Sequence, residues 1–280
     1  MSDFPEPLKP YRFHGMDIDP DDNHHEVVVE CPFCSKEKFH INQSNGLWKC
    51  FTCDAGGDKG GGNSTAFLQE LWKLASDTTQ DYSKLSKDRQ VEDTTLIQWE
   101  VVKNPLNGKW MVPGYTLKGT INQLYKYTKI KGKNRLLATP TKDHPHCLFG
   151  VGLFDPEDSI VYLCEGPWDA MALWEQLQRI DENLRGSVIA TPGTNVFKDS
   201  WTPLFSGKDV NILFDNDHPR VNKQSGKLVE GAGIAGARRV TAILSSSSKP
   251  PNEIQYLQWG EEGFDSDLPS GSDIRDFINA

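Results

Sequence analysis

Four cysteines set the tightest constraint on this chain. Cys31, Cys34, Cys50 and Cys53 follow the spacing C-x2-C-x15-C-x2-C, two knuckles that can each bend two thiolates toward one tetrahedral ion. Asn45-Gly46, a hairpin-turn dipeptide, separates the strand-like stretches 38–42 and 47–50, and 26–30 reads as a further short strand. A β module this small has too little apolar core to fold without a staple. Zinc is the expected ion, and four protein thiolates close its shell, so its role is expected to be structural. Disulfides would need an oxidising compartment. The N-terminal MSDFPEPLKP carries no signal pattern, and no apolar run approaches the roughly 18–20 residues that cross a bilayer. Phe33, Trp48 and Phe51 are expected to form a small core around the metal, and His24, His25 and His40 are surplus to coordination.

At roughly 150 residues per domain, 280 residues suggest about two domains. The hydrophobic fraction of 37% is below the usual ~45–50%, which implies extensive exposed surface or linker. A helix capped by Asn63 or Ser64 should run through Phe67, Leu68, Leu71, Trp72 and Ala75, closing a zinc-ribbon domain over 1–75. The polar stretch 76–95 reads as a flexible interdomain linker. Short β-like runs with Pro and Gly fill 96–158, and from 159 to 280 strands at 160–164, 188–190, 210–214 and 253–257 alternate with helices. The expected fold class is α/β with a mainly parallel sheet, preceded by the small β ribbon. Ligand sites in such sheets lie at the carboxyl ends of strands.

Two acidic motifs stand at such ends. Glu165, in Cys164-Glu165-Gly166-Pro167-Trp168-Asp169, follows an apolar strand and reads equally as a helix-start acid. About fifty residues later Val210–Phe214 runs straight into Asp215-Asn216-Asp217. Three acids at adjacent strand ends repel one another at a cost that a divalent cation removes, and all-oxygen ligands select magnesium or manganese over zinc. The formal charge of −9 argues against holding a polyanion by bulk charge. Locally, however, Lys118, Lys126, Lys129, Lys131, Lys133 and Arg135 surround Tyr125 and Tyr127 with no acid among them. Charge alone leaves open whether they bind phosphates or form a solvated strand face. Cys147 and Cys164 read as buried small apolar groups, and Trp72, Trp168 and Trp174 as core. No stretch fits GxxxxGK[ST], so no P-loop motor is expected.

EGPWDAMAL followed by LFDND resembles the Toprim domain of bacterial-type and phage primases, topoisomerases and some nucleases and recombination proteins. The small-residue run Gly231–Arg239 is similar to that family's helix after the aspartate pair, and Ser272-Asp273-Ile274-Arg275-Asp276 to its terminal acidic motif. With the cysteine ribbon ahead, the order of motifs from about 26 to 280 resembles the primase half of phage primase-helicases and bacterial replicative primases. The resemblance implies a nucleotidyltransferase making short RNA primers on single-stranded DNA from NTPs, in the cytoplasm or, if phage-encoded, that of the host. A replicative helicase would be its partner, as a separate chain or a further domain. Glu165, Asp215, Asp217 and Asp169 would be catalytic, with Glu165, Asp215, Asp217 and Asp273 holding magnesium or manganese. Lys126, Lys129, Lys131, Lys133 and Arg135 would contact nucleotide or template phosphates, and His40 and Trp48 of the ribbon would contact template bases during start-site selection. A Toprim nuclease and a non-catalytic recombination mediator are the alternatives. Two departures from the family pattern stand out: an insertion over 218–230 directly after Asp217, and Ser272 where a lysine is common, which leaves the fourth acid as Asp273 or Asp276.

Overall fold

The structure, a computed structural model, describes residues 4–20, 24–56, 61–180, 186–221, 224–259 and 269–278. It divides into two compact units, Met1–Asp81 with Glu100–Cys147, and Tyr82–Trp99 with Leu148–Ala280.

The first unit opens with a short helix, α1 (Lys9–Phe13), and a four-stranded antiparallel ribbon of β1 (Glu26–Val29), β2 (Phe39–Asn42), β3 (Trp48–Cys50) and β4 (Gly61–Gly62) in sequential order. Alternation dictates its inner face: Val27, Phe39, Ile41, Trp48 and Cys50 point inward. The turn between β2 and β3 is set by Asn42, whose carboxamide oxygen accepts from the Ser44 amide at 3.0 Å, and by Gly46 at φ +68°. Asn63 caps the next helix, α2 (Ser64–Ser76), by accepting from the Ala66 amide at 3.1 Å. Phe67 from α2 joins Tyr11, Phe33, Phe39 and Trp48 in one aromatic cluster, with Phe39 and Trp48 stacked at 4.9 Å.

The opposite side of α2 lies on a second antiparallel sheet, β5 (Val102–Lys103), β6 (Trp110–Tyr115), β7 (Ile121–Ile130) and β8 (Lys133–Leu137). The Gln69 amide donates to the Ile121 carbonyl at 2.9 Å. Buried His144 bridges the Asn122 carbonyl and the Ser64 hydroxyl, each at 2.8 Å. Ribbon, helix and second sheet therefore share one core. The expectation of a ribbon domain ending at 75 and separate from 96–158 is corrected accordingly.

The expected linker is also corrected. In the second unit, α3 (Ser83–Arg89) and α4 (Asp93–Gln98) occupy half of 76–95 and run beyond it. Tyr82, Leu85, Val91, Leu96 and Trp99 are buried while Ile97 is exposed, so a composition that looked unable to sustain a core concentrates most of its apolar surface on one side. Gln90, at φ +54°, ends α3, and Glu175 accepts from the Glu92 amide at 2.9 Å and the Thr95 hydroxyl at 3.2 Å.

The rest of the second unit is a parallel sheet in the order β10 (Ser187–Ala190), β9 (Ile160–Cys164), β11 (Asp209–Leu213), β14 (Glu253–Tyr256). Its helices are α5 (Pro167–Leu177), which carries the Glu175 just described, α6 (Ala232–Ser245) and the terminal α7 (Ile274–Ile278); a two-stranded ribbon, β12 (Arg220–Val221) and β13 (Leu228–Val229), stands between β11 and α6. Leu213 lies beside Cys164 in register, so β9 and β11 end level. The small residues of α6 allow close approach: a Cβ on Gly233 would sit 2.0 Å from the Asp215 carbonyl oxygen, and one on Gly236 would sit 2.7 Å from Thr194 Cγ2. Among the described residues no helix is long and apolar enough to cross a membrane.

Leu85→Ala, which empties a fully packed site in α3, is expected to lower stability by about 2–5 kcal/mol, read as the shift in urea midpoint. In the unaltered protein Lys84, Lys87 and Arg89 should resist limited tryptic cleavage; rapid cutting there would restore the linker.

Candidate functional site

In the ribbon, Cys31 and Cys53 have sulfurs 3.8 Å apart, and those of Cys34 and Cys50 are 3.7 Å apart. A tetrahedral zinc with sulfur at ~2.3 Å requires about 3.8 Å between sulfurs, so the quartet fits the ion in donor type and spacing. Burial raises the Cys31 thiol above its ordinary range, a cost that coordination removes. At Cys50 burial acts in the same direction but is outweighed by the Cys53 and Thr52 amides, which bring the thiol to about 7. The Thr52 amide lies 3.4 Å from the Cys50 sulfur. Cys147 and Cys164 are buried, as expected.

Two ribbon expectations change. Phe51 is 61% exposed and lies outside the core, where its ring meets His40 edge-on at 4.7 Å. Trp48 is 3% exposed, and its indole donates to the Asn63 carbonyl at 2.8 Å; the aromatic cluster encloses it, so it offers no face for a base. His40 remains at the surface, 3.0 Å from a Glu26 carboxylate oxygen. Cys50→Ser should abolish stoichiometric zinc in metal analysis, and chelation should erase the near-ultraviolet circular dichroism of the cluster around Trp48.

In the second unit the level ends of β9 and β11 bring Glu165 and Asp215 together. The Asp215 amide donates to Glu165 Oε2 and the Thr194 hydroxyl to Glu165 Oε1, both at 3.4 Å. Asp217 Oδ2 accepts from the Gly233 amide at 3.1 Å in the first turn of α6. Between the aspartates, the Asn216 amide donates to the Ser272 carbonyl at 2.7 Å, drawing in the terminal motif. There Asp273 and Asp276 cap each other's amides, at 2.9 and 3.2 Å. Arg275 pairs with Asp273 at 2.5 Å and reaches Asp169 at 3.8 Å.

The acids thus divide. Asp169 and Asp273 share the Arg275 guanidinium, whereas among the described residues no cation pairs with Glu165, Asp215 or Asp217. Burial, then repulsion from Glu165, Asp169, Asp273 and Asp217, pushes Asp215 up to about 9. Burial likewise raises Glu165, and it raises Asp169 well above the carboxylate range with Asp273 adding to it. Buried, crowded oxygen donors of this kind suit a hard divalent ion. Among the described residues only the thiolate quartet has three or more such donors all within 4.8 Å of one another; the carboxylates stand further apart, compatible with an ion that keeps several waters. Sequence reading missed Arg275, Thr194 and the Gly233 amide. A cation inside the Asp-x-Arg-Asp tetrad was the signal for the first; the others depend on strand order.

The basic residues lie in the first unit on the β7–β8 hairpin. Lys131 (φ +48°) and Gly132 (φ +79°) form a two-residue turn of left-handed residues. Thr128 faces Arg135 and Ile130 faces Lys133, which places Lys133 and Arg135 on one side; Lys129, opposite Asn134, points to the other. All four cations are exposed. Lys126 departs from expectation: its Nζ donates to the Phe13 carbonyl at 2.8 Å and sits 3.8 Å over the Phe13 ring, and burial lowers its pKa. It is committed to packing and is withdrawn from the phosphate contacts.

Because the folded state holds a proton on Asp215 that the unfolded chain releases near its ordinary value, metal-free stability should decline as pH rises from about 4 to about 9. Magnesium or manganese should restore the melting temperature most at the alkaline end of that window. Asp215→Asn should flatten both dependences in thermal melts.

No protein-family model matches the chain. No curated protein matches it in sequence either. Its structure is similar to the E. coli primase catalytic core, with 15% identity over 76% of this chain and 74% of that one and a TM-score of 0.51. It is also similar to the DnaG primase catalytic domain bound to ssDNA, at 14% identity, 75% and 74% coverage and TM-score 0.50. The Aquifex aeolicus primase, comprising zinc-binding and RNA polymerase domains, aligns with 98% of this chain and 79% of its own at 15% identity and TM-score 0.49. At these identities the likeness is one of fold, and the chain has the fold of a DnaG-type primase catalytic core.

Proposed function

We propose that this protein is a DNA primase, joining ribonucleoside triphosphates on a single-stranded DNA template into a short RNA. The observation that carries the reading is the meeting of Glu165, Asp215 and Asp217, unneutralised by any described cation, at the level ends of two parallel strands within a primase-like fold. Asp215 and Asp217 would hold magnesium or manganese, with Asp217 oriented by the Gly233 amide. When bound, such ions offset charge on the attacking 3′-oxygen and the departing pyrophosphate. Glu165, its pKa raised by burial and its oxygens positioned by Thr194 and the Asp215 amide, would take the proton of the attacking 3′-hydroxyl. Asp169 and Asp273, paired through Arg275, would position the acidic loop without touching the reacting atoms.

Lys133 and Arg135, on one side of their hairpin, would follow a phosphate backbone, and Lys129 and Lys131 would meet phosphates at its other side and tip. The zinc ribbon would select the start site, with His40 at its surface. A replicative helicase is the expected partner. The test is RNA synthesis from labelled ribonucleotides on mixed-sequence single-stranded DNA. Asp215→Ala should reduce product by about 10²–10³-fold or more while template binding persists, and Lys133→Ala with Arg135→Ala should weaken template binding where Lys126→Ala does not. Cut template without RNA would instead indicate a nuclease, and tight binding with neither product a recombination mediator.

A further inference from the structure

The insertion over 218–230 is rooted at the acidic site. Its two ends meet there, since a Cβ on Gly231 would fall 1.6 Å from the Asp217 carbonyl oxygen. The outgoing end is held by the His218 amide donating to the Ser270 hydroxyl at 2.9 Å. From this root β12 and β13 pair antiparallel, Arg220 opposite Val229 and Val221 opposite Leu228. Among the described residues no third strand joins them. A bare two-stranded ribbon is marginal in water, yet this one exposes Val221 at 61%, Leu228 at 72% and Val229 at 42%. Cross-strand register puts Val221 and Leu228 on one face and Val229 on the other, so neither face is an ordinary buried side.

Charge points to what covers it. Glu230, the one acid of the insertion, pairs with Arg238 at 2.7 Å. Among the described residues Arg220 and Lys227 have no carboxylate partner, on a chain whose net charge is −9. Cations flanking exposed branched apolar side chains match a surface that alternates phosphates with apolar sugar faces. The wide, shallow minor groove of an A-form helix is such a surface.

We propose that the β12–β13 ribbon docks on the RNA–DNA hybrid as it leaves the acidic site, with Arg220 and Lys227 on phosphates and Val221 and Leu228 against the sugars. The hybrid is favoured over unpaired template because the ribbon springs from Asp217, beside the place where the product strand is extended. This inference rests on the primase reading and gives the site a hold on its own product.

The test measures binding of the whole protein to a labelled RNA–DNA hybrid and to single-stranded DNA, by fluorescence anisotropy over a series of salt concentrations. The variants are Arg220→Ala with Lys227→Ala, and Val221→Ser with Leu228→Ser. All four positions are exposed, and thermal melts check that the fold persists. For the charge variant, hybrid affinity should fall about tenfold, and the slope of log K against log salt should lessen by about 1.8, roughly 0.9 per lost phosphate contact. The apolar variant should lose hybrid affinity with the slope retained, and single-strand affinity should hold in both. Unchanged hybrid binding, or equal losses on hybrid and single strand, overturns the proposal. Failure of the unaltered protein to bind hybrid overturns it too, while RNA synthesis by that protein decides separately whether the primase reading stands.

Discussion

Mutual repulsion among buried carboxylates is the constraint around which the second unit is built. Glu165 and Asp215 occupy the ends of neighbouring parallel strands because β9 and β11 finish in register, and Asp217, Asp169 and Asp273 crowd the same space. Such an arrangement is costly unless each charge is protonated, paired or metal-bound. The fold answers in three ways. Arg275 serves Asp169 and Asp273, helix-start and loop amides serve Glu165 and Asp217, and Asp215 is pushed toward its protonated form. Small residues in α6 permit this closeness, since any Cβ at Gly231 or Gly233 would enter the aspartate backbone.

The first unit solves a different problem. Four cysteines at zinc spacing gather the knuckles of the ribbon, but its aromatic core is completed by Tyr11 and Phe67 from outside the β strands. The second sheet then covers the far side of α2, with buried His144 tying α2 to β7 through two hydrogen bonds. The quartet fits a zinc ion that would restrain the knuckles, and burial of Phe39, Trp48 and Phe67 supplies the hydrophobic stabilisation that the cysteines cannot.

Motifs whose chemistry depends on adjacent residues were legible in the chain itself. The cysteine spacing, the Asn45-Gly46 turn, the Asn63 cap and the strand-then-acid pattern at Glu165 and Asp215 all stand where local rules place them. Residues judged by composition fared worse. The 76–95 stretch looked too polar to fold, yet Leu85 in α3 and Val91 between α3 and α4 are buried, because a short segment needs only a few apolar groups if they share a side. Lys126 looked like its neighbours in sequence, but the Phe13 carbonyl and ring commit it to packing.

The amino-acid sequence alone determined the spacing of the four cysteines, the parallel α/β character of the C-terminal half and the position of Glu165 and Asp215 at strand ends, because each follows from short-range spacing and the period of the backbone. Tertiary structure alone decided which acids are neutralised and which remain open, since the partner of Asp169 is Arg275, over a hundred residues away in the chain. It also decided that Trp48 is core while Phe51 is surface, and that Lys133 and Arg135 share a face that Lys129 does not. Burial and charge pairing depend on which distant segments meet, and that information resides in the packing of strands and helices, not in the spacing along any one of them.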